Sequence, residues 1–285
     1  MLTVVAAGLH AAAITGEQAP TLEVGLAGRA MQPGEVVRVD VTCACGTDNP
    51  HATAFDRAIP LTPSPDRTSW QGFIGIDVDA APGRYPVVVE VSGRQPGLDR
   101  TTLLQVRPKQ FASRALRVAP EFVDPPAPIL DRIVSEAALL DRVFSQLTPR
   151  AWDRAFALPL KTRPTPNFGS RRVFNGQPRN PHAGVDFSSP AGTVVTAPAA
   201  GTVALAADLF FTGQTVVVDH GAGVYSLFAH LSSMDVGAGQ VVAGGARLGR
   251  VGATGRATGP HLHWGVRLNG ARVDPLSLIF ATQAR

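Results

Sequence analysis

Five side chains in the second half of the chain could do metal chemistry. His182 and Asp186 stand four residues apart in the stretch Pro181 to Asp186, His261 and His263 two apart between Gly259 and Trp264, and His230 follows the aromatic run that starts at Tyr225. Side chains two or four apart on an extended strand leave on one face, so each pair can converge on a point. Gly184, inside the first pair, permits a close approach or a bulge. Imidazole and carboxylate are zinc donors, and three of them plus a water make the four-coordinate, open site of a hydrolase. The spacing alone does not say which of His261 and His263 binds the metal.

A lone histidine is more simply a hydrogen-bonded core residue, but five of the chain's seven fall between residues 182 and 263, which points to a shared site. No glutamate occurs between Ala137 and Arg285. That excludes a helical His-Glu-x-x-His arrangement, so proton transfer falls to histidine or to an aspartate that is not a ligand. Lys161 is the one lysine of the same segment. Its position excludes a biotinyl or lipoyl carrier, whose two-strand rhythm Thr193 to Ala206 otherwise resembles.

These residues resemble the lysostaphin-type zinc endopeptidases, peptidase family M23 or the LytM group. The resemblance rests on His182, Asp186, His230, His261 and His263 in order. Flanking residues agree: Asn167-Phe-Gly169 with Arg171-Arg172, Pro190 to Thr193, Ala197-Pro198 with Gly201, Gly252 with Thr254-Gly255, and Asp274-Pro275. It covers about residues 160 to 280. The resemblance implies one Zn2+ held by His182, Asp186 and His263, with His261 as the general base on the zinc-activated water and His230 stabilising charge on the attacked carbonyl. It implies an exported endopeptidase of the periplasm or cell envelope that cuts peptide cross-links of peptidoglycan, with the peptide stems as its partner. The alternative is a catalytically silent wall-binding or hydrolase-activating module that uses the same groove.

Other residues near the motifs have blander expectations. His220 ends a strand and makes a turn or supporting hydrogen bond. Tyr225, Trp264 and Phe210-Phe211 either line a peptide groove or fill the core. Arg171 and Arg172 either meet acidic groups of a substrate or face water.

The elements that position these residues follow from pattern. From Thr21 to about Val106, short β-rich runs (Glu35 to Thr42, Phe73 to Val78, Tyr85 to Val91, Thr101 to Val106) alternate with turns such as Ala81-Pro-Gly83. That predicts an immunoglobulin-like β-sandwich over residues 17–108, with His51 on its surface. Residues 109–150 read as a Pro-rich extended connector and an amphipathic helix, whose stripe runs Ile129, Ile133, Ala137, Leu140, Phe144, Leu147 and packs against a domain. Residues 151–285 read as a compact antiparallel β-sheet or open barrel, without a helix of useful length. The fold class is therefore mainly β. The helix and connector could let the N-terminal domain reach the groove, a regulatory contact.

Residues 1–149 carry a net charge of −3 and residues 150–285 one of +7, so the C-terminal half favours an anionic partner. Basic runs interleaved with aromatics are lacking, which argues against nucleic acid. Residues 1–16 form an apolar segment too short to span a membrane, read as a truncated signal without its basic start. Cys43 and Cys45 are expected to form no framework disulfide, because so small a ring strains the geometry. A lone cysteine pair also lacks the further ligands of a zinc site.

Overall fold

The structure is a computed structural model that describes residues 21–43, 45, 48–91 and 98–283. The segment read as a signal remnant lies outside the described residues.

Eight strands form the first half: β1 (Leu22–Gly28), β2 (Val36–Cys43), β3 (Pro50–Ala54), β4 (Arg57–Ile59), β5 (Thr62–Pro63), β6 (Ser69–Gly75), β7 (Gly83–Val91) and β8 (Leu98–Val106). They make two four-stranded sheets, ordered β1-β2-β6-β5 and β4-β3-β7-β8. Alternation decides the faces: Val37, Val39 and Val41 of β2 point inward and meet Val87, Val89 and Val91 of β7 in one apolar cluster. This is the expected sandwich. β6 begins earlier than the hydrophobic run suggests, because Trp70 anchors it in the core at 3% exposure. It also ends earlier, since Asp77 and Val78 leave the sheet to bond Arg272. His51 is exposed, as expected, although it lies within β3.

Cys43 and Cys45 are joined as a disulfide, although ring strain argued against closing so short a loop. Their Cα atoms lie 5.2 Å apart, inside the ordinary range for the bond. The ring spans three residues, so it ties one bend and links no separate elements.

The connector is more structured than its proline content suggests. β9 (Ser113–Leu116) pairs in parallel with β10 (Arg171–Phe174), which also pairs with β11 (Gln177–Arg179). A 3-10 turn at Pro120–Phe122 leads to helix α1 (Ala127–Phe144). The helix is the expected one, but its packing is shallow: Ile133, Leu140 and Phe144 are half-buried, while Ala137, Leu147 and Val134 are exposed. Polar contacts supplement that packing. Arg132 reaches Asp208, and Glu136 accepts the backbone N–H of Phe210.

The second half is a nine-stranded antiparallel sheet. Its strands are β12 (Gly184–Phe187), β13 (Val194–Thr196), β14 (Gly201–Leu209), β15 (Gly213–Gly221), β16 (Val224–Met234), β17 (Val241–Val242), β18 (Arg247–Val251), β19 (Leu262–Leu268) and β20 (Ala271–Val273). The main path runs β12-β19-β16-β15-β14-β17, with β18 joining β13 to β16 and β20 beside β19. A terminal helix, α2 (Pro275–Gln283), corrects the expectation of none. It is apolar nearly all round and so shows no amphipathic stripe in sequence, and Asp274 caps it by accepting the N–H of Leu276.

The two halves are docked through shared core and charge. Val36 and Phe73 of the sandwich belong to the apolar cluster of the second half. Arg29 bridges the buried Glu35 and Asp274, and Arg272 pairs with Asp77 and Asp79. Burial alone would raise the Glu35 carboxyl, but the hydrogen bonds from Arg29 and Ser277 and the charges of Arg29 and Lys109 together outweigh it and hold the group ionised.

Candidate metal centre

Strand register brings the predicted residues together. Asp186 on β12 stands directly opposite His263 on β19, and β16 places Ala229 opposite the same His263. His182 enters immediately before β12, His230 follows Ala229, and His261 makes an isolated bridge to Gly252. The close approach needs Gly184: a Cβ there would meet the His263 ring at 2.7 and 2.8 Å.

Three donor atoms form a triangle. His182 Nε2 is 2.8 Å from His263 Nδ1, His263 Nδ1 is 2.9 Å from Asp186 Oδ1, and His182 Nε2 is 3.1 Å from the same oxygen. The carbonyl of Asn167 can only accept, so the proton of neutral His182 sits on Nδ1, 3.1 Å away, and Nε2 presents a lone pair. Asp186 Oδ1 also presents lone pairs. One proton on His263 Nδ1 cannot satisfy both neighbours, whereas a divalent cation satisfies all three donors. Tetrahedral ligands about 2.1 Å from zinc stand roughly 3.3 Å apart, so the group fits that ion after widening by a few tenths of an ångström. His182, Asp186 and His263 are the one such group among the described residues. Of the two imidazoles that the spacing left open, His263 lies in the triangle and His261 does not.

Asn167 holds the ligands from behind. Its side-chain N–H donates to Asp186 Oδ2 at 2.7 Å, while its carbonyl fixes His182. Burial alone would raise the Asp186 carboxyl, but the two imidazoles held against it outweigh that and keep it far below the usual carboxylate range. Burial lowers His182 to about 4, so its imidazole is neutral near pH 7 and able to ligate.

His230 and His261 lie beside the triangle, their ring centroids 4.7 Å apart, with His230 6.2 Å from His263. His230 donates through Nδ1 to the Thr254 carbonyl at 2.8 Å, and His261 donates through Nδ1 to the Gly259 carbonyl at 2.8 Å. Both rings therefore keep Nε2 free. His230 has φ of 62°, at the register shift between β15 and β16 that falls between Phe228 and Leu231. Burial, then the neighbouring His263 and His261, lowers His230 to about 3.

The remaining candidates divide cleanly. His220 is fully buried, donating to the Ala200 carbonyl and accepting from Ser226, so it is a satisfied core residue. Tyr225 and Trp264 are also core, the Tyr225 hydroxyl donating to the Gln146 carbonyl. Arg171 pairs with Asp79 of the sandwich. Arg172 and Phe211 line an open cleft of about 410 Å³ over His182, His230 and His263. Arg179 and Arg256 also line it, and no sequence pattern singled them out. Phe122, Val123 and Pro125 of the connector form part of its wall, and none of its lining residues comes from the sandwich.

Fold and site define an antiparallel β-sheet protein with a His, Asp, His metal centre flanked by two free imidazoles. Residues 180–275 match the family model "Peptidase family M23". A crystal structure of a Pseudomonas aeruginosa protein described as a peptidase M23 is 35% identical, with TM-score 0.69, and the match covers 88% of this chain and 96% of that one. The chain belongs to peptidase family M23. Among curated relatives, the DD-carboxypeptidase/endopeptidase Mpg of Neisseria meningitidis is 43% identical over 101 residues, 35% of this chain and 23% of Mpg. The peptidoglycan DD-endopeptidase ShyA of Vibrio cholerae is 38% identical over 128 residues, 45% of this chain and 30% of ShyA. The chain thus matches under a third of the length of these relatives.

Proposed function

We propose that this protein is a zinc-dependent endopeptidase that hydrolyses peptide cross-links of bacterial peptidoglycan and acts outside the cytoplasm. The convergence of His182 Nε2, Asp186 Oδ1 and His263 Nδ1 beside the free Nε2 atoms of His230 and His261 carries this reading. Bound zinc supplies Lewis acidity and lowers the pKa of a water to about 7. His261, its Nδ1 committed to Gly259, receives the proton of the attacking water on Nε2. His230 is neutral at rest with its proton on Nδ1; it would act as a donor to the attacked oxygen by taking a proton from solvent on Nε2, an uptake that negative charge developing on that oxygen favours. Thr254 keeps this ring from turning away. The names of Mpg and ShyA favour a D,D bond over a glycine bridge as the one cut.

The test combines metal analysis with digestion of purified peptidoglycan and mass analysis of the released fragments. One zinc per chain, D,D-cleaved fragments, and loss of digestion in a His261→Ala protein that keeps its zinc are expected. Absence of zinc sinks the reading, as does digestion that His261→Ala leaves unchanged.

A further inference from the structure

The cleft over the metal centre has an uneven charge. Arg172, Arg179 and Arg256 all open onto it, and none of its wall residues is an aspartate or glutamate. Two carboxylates lie nearby and both are already engaged: Asp186, 3.7 Å from Arg172, by His182 and His263, and Asp124, between Val123 and Pro125 of the wall, by Gln177. Arg179 spends one nitrogen on the Val123 carbonyl and the Gln177 side chain. Arg256 is held differently: its guanidinium lies 4.7 Å from the Phe174 ring and 4.6 Å from the Phe211 ring. Among the described residues no side-chain hydrogen bond or ion pair engages it.

Folding ordinarily neutralises or separates like charges in a partly desolvated cleft, because an unpaired charge there costs stability. Here the sheet and two aromatic rings fix one guanidinium face with its donors free. Burial, then Arg172 and Arg179, lower Arg256 to about 10, which leaves it cationic at neutral pH. A planar fork held rigidly beside other cations matches a carboxylate, which it can grip through two parallel hydrogen bonds.

We infer that Arg256, with Arg179 and Arg172, forms a carboxylate-binding subsite that selects acidic peptides and aligns the scissile bond over the metal centre. The inference rests on the endopeptidase reading and names the substrate class within it: a stem peptide with a free carboxylate near the bond cut. That carboxylate belongs either to the side chain of a diamino acid or to a peptide C-terminus.

Three synthetic cross-linked peptides distinguish these sources: one with all carboxylates free, one amidated at the side chain, and one amidated at the C-terminus. Cleavage by the full zinc-loaded chain is compared for wild type and Arg256→Gln. Wild type should prefer the free peptide about 10- to 100-fold over one amidated form, the range expected for charge-assisted hydrogen bonds. Arg256→Gln should erase that preference by bringing the rate on the free peptide down to that on the amidated form, with zinc content retained. Equal cleavage of all three peptides overturns the subsite and leaves the endopeptidase reading standing. Cleavage of none sinks the endopeptidase reading, and calorimetry then decides the subsite. Binding of the free peptide to His261→Ala should weaken at least about tenfold on adding Arg256→Gln, and unchanged binding overturns the inference.

Discussion

Asp186 and His263 are direct cross-strand partners, 77 residues apart in sequence, and their side chains meet at 2.9 Å on the face of the sheet that carries His182. The metal centre is thus a property of strand register. A slip of one residue between β12 and β19 would send one of the two to the opposite face.

Asn167 tests how far support behind the ligands matters. It bonds both Asp186 and His182 without facing the cleft. Asn167→Ala should weaken zinc affinity about 10- to 100-fold, measured by competition with a chromogenic chelator. Unchanged affinity would remove Asn167 from the account.

His230 combines positive φ with a proposed role in charge stabilisation. Replacement by either Ala or Gly should cut digestion of peptidoglycan about 10²- to 10³-fold with zinc retained. The two variants should differ in stability: glycine accepts φ of 62° without strain, so His230→Gly should be more stable than His230→Ala by about 1 kcal/mol in denaturant titration. Equal stability would show that the backbone there is not strained.

His220 predicts the pH dependence of the metal-free protein. Burial lowers it from 6.5 to about 4. Above pH 6.5 neither state is protonated, and its full contribution to stability is present. As the pH falls, the unfolded chain takes a proton that the native imidazole refuses, so stability declines until the folded pKa is passed. The loss is on the order of 3 kcal/mol, and His220→Gln should lack it, with a correspondingly flatter stability profile between pH 6.5 and 4 in chelator-treated protein.

The connector predicts a gain. Phe122 and Val123 wall the cleft, and the Val123 carbonyl takes an N–H of Arg179. We propose that this segment limits access of extended peptides. The full chain with Phe122→Gly and Val123→Gly together should digest peptidoglycan several-fold faster at unchanged zinc content. Digestion no faster than wild type refutes the restriction.

Much of this molecule was legible as a one-dimensional pattern. Alternation named β2 and β7, residue type and spacing named all five residues at the centre, and the missing glutamates left proton transfer to histidine or a non-ligand aspartate. These signals are local, since a strand's period and a ligand's chemistry reside in the residues themselves. Helix α2 escaped because a helix that is apolar nearly all round has no stripe, and β9 escaped because its partner β10 lies far along the chain. The Cys43–Cys45 bond turned on a Cα separation of 5.2 Å that composition does not encode.

Tertiary structure alone decided the rest. His261 and His263 are the same residue type two positions apart, and only the register of β19 against β12 and β16 puts one against Asp186 and leaves the other beside His230. Arg256 reads as one surface cation among many until folding seats it against Phe174 and Phe211, on the same cleft as two other arginines. The sequence by itself determined which chemistry was available. Register and packing determined which atoms point at one another, because metal ligation and ion pairing depend on distances of a few ångströms that strand pairing and core packing set.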